Sequence, residues 1–241
     1  MRKFGLIGHS LEHSFSRTYF KQKFAREQID ASYVNCEFEE LKDLKWMKNL
    51  GFTGCNVTMP YKATVLDLVD KVNETAAKVK AINTIKREGN TLIGYNTDVI
   101  GFEQSLVATK HWDQIKHRAL ILGSGGAARA VEYVLNKLDF STAIVSRSKG
   151  DMTYDDVDDS VLKSIGLIVN TTPLGMYPDV NNCPQLPYKY FSERHLVFDL
   201  IYNPKKTVFL RKAEENGASV VNGLEMLELQ AEASWKIWNN K

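Results

Sequence analysis

Short apolar runs alternate along the chain with longer stretches in which apolar residues recur every three to four positions. In the first hundred residues this pattern predicts strands at 3–7, 32–36 and 54–58. Helices are expected over 14–28, near 38–49 and from about 62 to 79. Two further runs, 81–86 and 91–95, flank the turn-forming Arg87-Glu88-Gly89-Asn90 and read as a hairpin, with a helix starting near Val99. Strands at 117–122, 142–145, 167–170, 196–200 and 218–221 follow, with helices over 127–138, 206–216 and 224–238. Gly217 closes the second of these helices, and the acidic 151–159 reads as a solvated loop or helix start. Strands alternating with helices imply an α/β chain with parallel sheets wound in two units.

Composition narrows the function classes. The chain has 241 residues, and 31 Lys and Arg against 29 Asp and Glu leave a charge of +2, so no global field draws nucleic acid or an anionic membrane. No apolar run reaches the ~18 residues of a membrane span, and Met1-Arg2-Lys3-Phe4 enters a strand without a leader-like segment. Cys36, Cys55 and Cys183 are odd in number and lack metal-ligand spacing, so no metal site is expected. These features point to a cytoplasmic enzyme or small-ligand-binding protein, without a nucleic-acid or membrane partner.

The strongest local signal is Gly123-Ser124-Gly125-Gly126-Ala127-Ala128, between a predicted strand and a predicted helix. Gly123 permits the tight turn, Gly125 lets backbone N–H groups approach a pyrophosphate, and Ala128 lets the helix pack close to the strand. The partial positive charge of the helix start favours the phosphates. At the end of the next strand stands Ser146-Arg147-Ser148-Lys149, where an acidic residue would favour NAD. Two cations and two hydroxyls suit a 2′-phosphate instead, and therefore NADP.

Two polar clusters could carry acid/base chemistry. Asn56-Val57-Thr58-Met59-Pro60-Tyr61-Lys62 puts a lysine at the expected opening of a helix. Tyr95-Asn96-Thr97-Asp98 lies at a strand end, and Asp98 could pair with Lys62 or cap the helix that follows. Ala81-Ile82-Asn83-Thr84 and Ser14-Phe15-Ser16 add neutral donors and acceptors suited to a polyhydroxylated ligand.

Together these segments resemble the shikimate dehydrogenase family, in the family's order and over nearly the whole chain. His13-Ser14-Phe15-Ser16 is similar to its HSxSP element, with Arg17 in place of proline, and 56–62 to its NVTxPxK element. Residues 81–84 and 96–98 resemble its xNT and NTD elements, with Lys80 where a glycine is usual. The glycine loop, 170–176, 199–204 and the Gln230-Ala231 pair resemble further family elements. The resemblance implies NADP-dependent interconversion of shikimate and 3-dehydroshikimate, on the route to chorismate and the aromatic amino acids. Lys62 and Asp98 would be the catalytic pair, and Ser14 and Ser16 would bind the substrate carboxylate. Thr58, Asn83, Asp98, Tyr202 and Gln230 would contact the ring hydroxyls or support their pocket. Leu200 and Gly223 would line the nicotinamide side, and Glu74 matches a position of cofactor contact.

The chain departs from the family's NRTxxR phosphate clamp, because 146–149 lacks the later arginine and the following segment is short. An NAD-preferring quinate or shikimate dehydrogenase and a non-catalytic ligand sensor are therefore the alternatives. The expected layout is an N-terminal α/β substrate-binding catalytic domain, 1–102, rejoined by the C-terminal helix, 224–241. A Rossmann-type NADP-binding domain, 103–223, lies between, with a cleft separating the two. A monomer and a homodimer are both compatible with the sequence.

Overall fold

The computed structural model describes residues 1–12, 14–110 and 112–240; His13, part of one expected substrate element, lies outside the described residues. The chain divides into two compact units, one formed by Met1–Ile100 with Gln230–Lys241 and the other by Gly101–Leu229.

The first unit is built on a six-stranded sheet ordered β2-β1-β3-β5-β6-β4. β1 (Arg2–Gly8) pairs in parallel with β2 (Ala31–Glu37) and β3 (Gly54–Val57). β5 (Thr84–Glu88) and β6 (Thr91–Tyr95) form the expected hairpin, which makes the sheet mixed rather than wholly parallel. α1 (Phe15–Arg26) opens on a cap in which Ser14 Oγ accepts from the Arg17 N–H at 3.3 Å. Phe4, Phe20, Phe24, Tyr33, Ala231 and Trp238 pack as one apolar cluster that seats the C-terminal helix. Trp238 also donates its indole N–H to the Ile85 carbonyl at 3.0 Å.

Two expected helices are shorter in the structure. Of 38–49 only α2 (Lys45–Asn49) is helical, while the irregular stretch before it sends Leu41 and Leu44 into the core. The span 62–79 breaks into a 3-10 turn (Thr64–Asp67), a short edge strand β4 (Lys71–Val72) and α3 (Glu74–Val79). Asp70 ends the first turn by accepting from the Leu92 N–H at 2.7 Å and from Lys48 at 3.1 Å. Asn73 then caps α3 by accepting from the Thr75 N–H.

The second unit carries a five-stranded, wholly parallel sheet ordered β11-β10-β9-β7-β8. Its strands are β7 (Arg118–Leu122), β8 (Ser141–Val145), β9 (Leu167–Asn170), β10 (Leu196–Asp199) and β11 (Ser219–Val221). β7, β9 and β10 are almost entirely apolar and buried, as strands covered on both faces must be. α5 (Gly126–Lys137), α6 (Asp159–Ser164) and α7 (Val208–Glu215) complete the doubly wound pattern. The acidic 151–159 contributes only a 3-10 turn (Tyr154–Asp156) and the first residue of α6. α4 (Asp98–Ala108) and α8 (Leu224–Trp238) contain the two points where the chain passes from one unit to the other.

Candidate active site

In the first unit buried polar side chains gather where β3 and β6 end and the antiparallel β5 begins. Asn83, just before β5, is 3% exposed, and its backbone is pinned by bonds to Val57 and Tyr95. Its amide orientation is dictated by its partners. The Thr97 N–H can only donate, and it reaches Asn83 Oδ1 at 2.7 Å. Asn83 Nδ2 is thereby aimed at Asp98 Oδ1, 2.9 Å away, and at the Gln230 side-chain oxygen at 3.4 Å. The other oxygen of Asp98 accepts from Lys62 Nζ at 2.7 Å. The Asp98 side chain is 8% exposed and that of Lys62 18%, so the pair is screened from most solvent without being sealed.

Asp98 is the first residue of α4, and its carboxylate faces Lys62 and Asn83, while Asn96 Oδ1 accepts from the Val99 N–H as the helix's side-chain cap. Lys62 precedes a four-residue 3-10 turn rather than a long helix. Its position is fixed from behind, where its carbonyl accepts from the Ile82 N–H at 2.7 Å. Lys62, Asn83, Asp98 and Gln230 are therefore brought together from four separate stretches of sequence.

The remaining residues expected in this unit take distinct places. Thr58 follows β3, with its N–H on the Ile7 carbonyl, and its methyl lies where any side chain on Gly8 would collide with it. Ser16 is buried in the first turn of α1. Ser14 uses a lone pair for the helix cap, which leaves its own O–H free to donate elsewhere. Glu74 stands apart, exposed at the start of α3 and paired with Lys78 at 2.7 Å.

Three residues that the sequence reading named only as members of its polar motifs, and Ser234, which it did not name, complete the cluster. Asn56, Thr84, Thr97 and Ser234 are all buried and joined by bonds of 2.8–3.2 Å. Ser234 lies one helical turn beyond Gln230 on α8, so the i, i+4 spacing of two polar residues on a buried face was the available signal.

In the second unit the order of the strands reverses at β7 and β9, the point where doubly wound sheets bind ligands beyond their carboxyl ends. The glycine loop leaves β7 there. Gly123 holds φ +108°, and a Cβ on it would crowd the Thr171 hydroxyl at 2.8 Å. Gly125 caps α5 without any side-chain hydrogen bond to the helix's first N–H groups, and a Cβ added to it would meet nothing within 4 Å. Uncapped donors facing open space fit a pyrophosphate. Ala128 is fully buried against the sheet. At the end of β8, Ser146 is buried and accepts from the Lys149 N–H at 2.8 Å and the Ser148 N–H at 3.4 Å. That turn leaves Arg147 and Lys149 exposed. Leu200 and Gly223 adjoin so closely that a side chain on Gly223 would overlap the Leu200 backbone. Tyr202 also belongs to this unit, half-buried, and burial raises its hydroxyl pKa.

The family model for the shikimate dehydrogenase substrate binding domain matches residues 6–85. The shikimate dehydrogenase (NADP(+)) of Methanococcus aeolicus is 36% identical, in an alignment covering 97% of this chain and 90% of that protein. The chain belongs to the shikimate dehydrogenase family. A second family member, the shikimate dehydrogenase (NADP(+)) of Caldicellulosiruptor saccharolyticus, is 37% identical over 99% of this chain and 92% of its own length. Among solved structures of the family, shikimate 5-dehydrogenase from Thermus thermophilus, in complex with NADP(H) and shikimate, superposes with a TM-score of 0.84. It is 29% identical and covers 100% of this chain and 94% of its own.

Proposed function

We propose that the protein is an NADP-dependent shikimate dehydrogenase that interconverts shikimate and 3-dehydroshikimate in the route to chorismate. The observation that carries this reading is the 2.7 Å Lys62–Asp98 pair, set among buried hydroxyls and amides in a chain of this family. When bound, the cofactor would supply the hydride acceptor for C3 of shikimate and, in its reduced form, the hydride donor to the ketone of 3-dehydroshikimate. Everything else is the work of this chain's side chains.

Lys62 Nζ holds the C3 oxygen and moves its proton: as the neutral amine it takes the hydroxyl proton when shikimate is oxidised, and as the ammonium it gives one back when the ketone is reduced. Asp98 orients the ammonium through one oxygen, while Asn83 holds the other, so the pair is fixed before substrate arrives. Asn83, Thr58 and Gln230 contact the ring hydroxyls. Ser14 and Ser16 donate to the carboxylate, which needs donors only. The backbone of 123–128 would hold the pyrophosphate, Ser146, Arg147, Ser148 and Lys149 would hold the 2′-phosphate, and Leu200 and Gly223 would lie on the nicotinamide side. Glu74 keeps its solvent-facing ion pair and has no step of its own. The three unpaired thiols suit a reducing cytoplasm.

Replacing Lys62 by alanine is expected to lower kcat by roughly 10²–10⁴-fold, with the KM for shikimate moving only a few-fold. Steady-state kinetics at saturating NADP+ measure both. A rise in KM with kcat intact would make Lys62 a binding residue and move the proton elsewhere.

A further inference from the structure

Within the second unit, the turn that follows β8 is closed back onto its own strand. β8 is an edge of the sheet, so the backbone groups on its outer side have no strand to pair with. The Ile144 N–H donates instead to Asp151 Oδ2 at 2.8 Å. The Ile144 carbonyl accepts from the Asp151 N–H at 2.8 Å and from the Met152 N–H at 3.1 Å, and the Ser146 N–H reaches the Met152 carbonyl at 3.0 Å. Gly150 packs so closely here that a Cβ on it would stand 2.4 Å from the Ile144 carbonyl oxygen. At the base of the turn the Val145 carbonyl accepts from the Gly123 N–H at 2.9 Å, which joins the turn to the glycine loop.

Arg147 and Lys149 are carried on this turn, both exposed, so the backbone of 146–151 decides where the two cations stand. Two side chains fix that backbone. Ser146 Oγ gathers the Ser148 and Lys149 N–H groups from within, at 3.4 and 2.8 Å. The Asp151 carboxylate ties the far end of the turn to the strand it left. Counted from Ser146, the NRTxxR element would put its second arginine at Asp151. A residue that could bind a phosphate is thus exchanged for one that holds the turn in place.

We propose that Asp151 is a positioning residue for cofactor selectivity: its bond to Ile144 closes the turn and holds Arg147 and Lys149 where the 2′-phosphate of NADP+ is read. The proposal rests on the functional reading above for the nucleotide those cations meet, and it assigns Asp151 no contact with that nucleotide. A turn cut loose from the strand must be ordered again each time the phosphate binds, which costs affinity. NAD+ carries a hydroxyl in place of the 2′-phosphate and gives the two cations no charge to hold. Loosening the turn therefore weakens NADP+ binding and leaves NAD+ binding nearly as it was.

The test is isothermal titration calorimetry of the full chain with NADP+ and, separately, with NAD+, in the absence of substrate. Asp151→Ala is expected to raise the Kd for NADP+ about fivefold and to change the Kd for NAD+ by less than about twofold. Asp151→Asn keeps an oxygen for the Ile144 N–H and removes the negative charge, so its Kd for NADP+ should stay at or below the wild-type value. Gly150→Ala, which forces the turn off the Ile144 carbonyl at a different atom, should reproduce the NADP+-selective loss. An Asp151→Ala variant that keeps the wild-type Kd for NADP+, or weakens both nucleotides equally, would overturn the proposal. So would an Asp151→Asn variant as weak for NADP+ as Asp151→Ala. Should Asp151→Ala fail to fold, as judged by circular dichroism, Gly150→Ala decides, and an unchanged Kd for NADP+ there overturns it. A wild-type protein that does not prefer NADP+ would remove the cofactor reading and the proposal with it, whereas a wild-type preference that survives in Asp151→Ala removes the proposal alone.

Discussion

Lys80 and Asp199 both sit where their residue type is energetically uncomfortable. Lys80 ends α3 at φ +54°, in the left-handed region, at the position where the family elements carry glycine. A side chain there costs about 1 kcal/mol, so Lys80→Gly is expected to stabilise the protein by about that amount in chemical denaturation. A variant no more stable than wild type would mean that the lysine side chain makes up the difference. Asp199 is fully buried at the end of β10, and desolvation pushes its pKa from 3.8 up to about 6. Bonds from Thr207, the Ile201 N–H and Asn170 pull the other way without cancelling it. The folded state thus binds this proton more tightly than the unfolded chain does. The resulting stabilisation is complete below about pH 4 and is lost as pH rises to about 6, with up to about 3 kcal/mol at stake. Asp199→Asn cannot titrate, so its stability relative to wild type should improve between pH 4.5 and pH 7.5. Denaturation midpoints at the two pH values measure this, and a pH-independent difference would contradict it.

Gly125 isolates the role of the α5 start from its stability. Its backbone is unstrained at φ −84°, and a methyl there meets no protein atom, so the only thing it obstructs is a ligand. Gly125→Ala is expected to raise the KM for NADP+ at least about tenfold while changing stability by less than about 1 kcal/mol. An unchanged KM would place the phosphates elsewhere. Elements defined by an unbroken apolar run or a sustained amphipathic period were legible in the sequence, and residues 167–170 and 224–238 have the bounds expected for them. The stretch 62–79 was not legible as it folds. Val65, Leu68, Val69, Val72 and Ala76 keep a helix-like spacing, yet they fill one core from a 3-10 turn, an edge strand and a short helix. What breaks the helix is Asp70, through a bond to the distant Leu92, and such a bond leaves no mark on local periodicity.

At the scale of the whole molecule, legibility followed chemistry. Lys62, Asn83, Asp98 and Gln230 were readable because their short motifs stand out, and the structure brings them together. Tyr33 and Ser234 carried no role in the sequence reading, because each is an ordinary residue until folding buries it beside Asn56. The mixed first sheet likewise follows from the β5–β6 hairpin rather than from any single run. The cofactor preference rests on the exposed Arg147 and Lys149 after β8, without the second arginine of the family clamp. The central claim is tested most directly by the initial rate of reduced-nicotinamide formation from shikimate, with NADP+ and NAD+ supplied at equal concentration. Turnover with NADP+ well above that with NAD+ is the predicted result. No turnover with either cofactor, in a folded protein, would contradict the account.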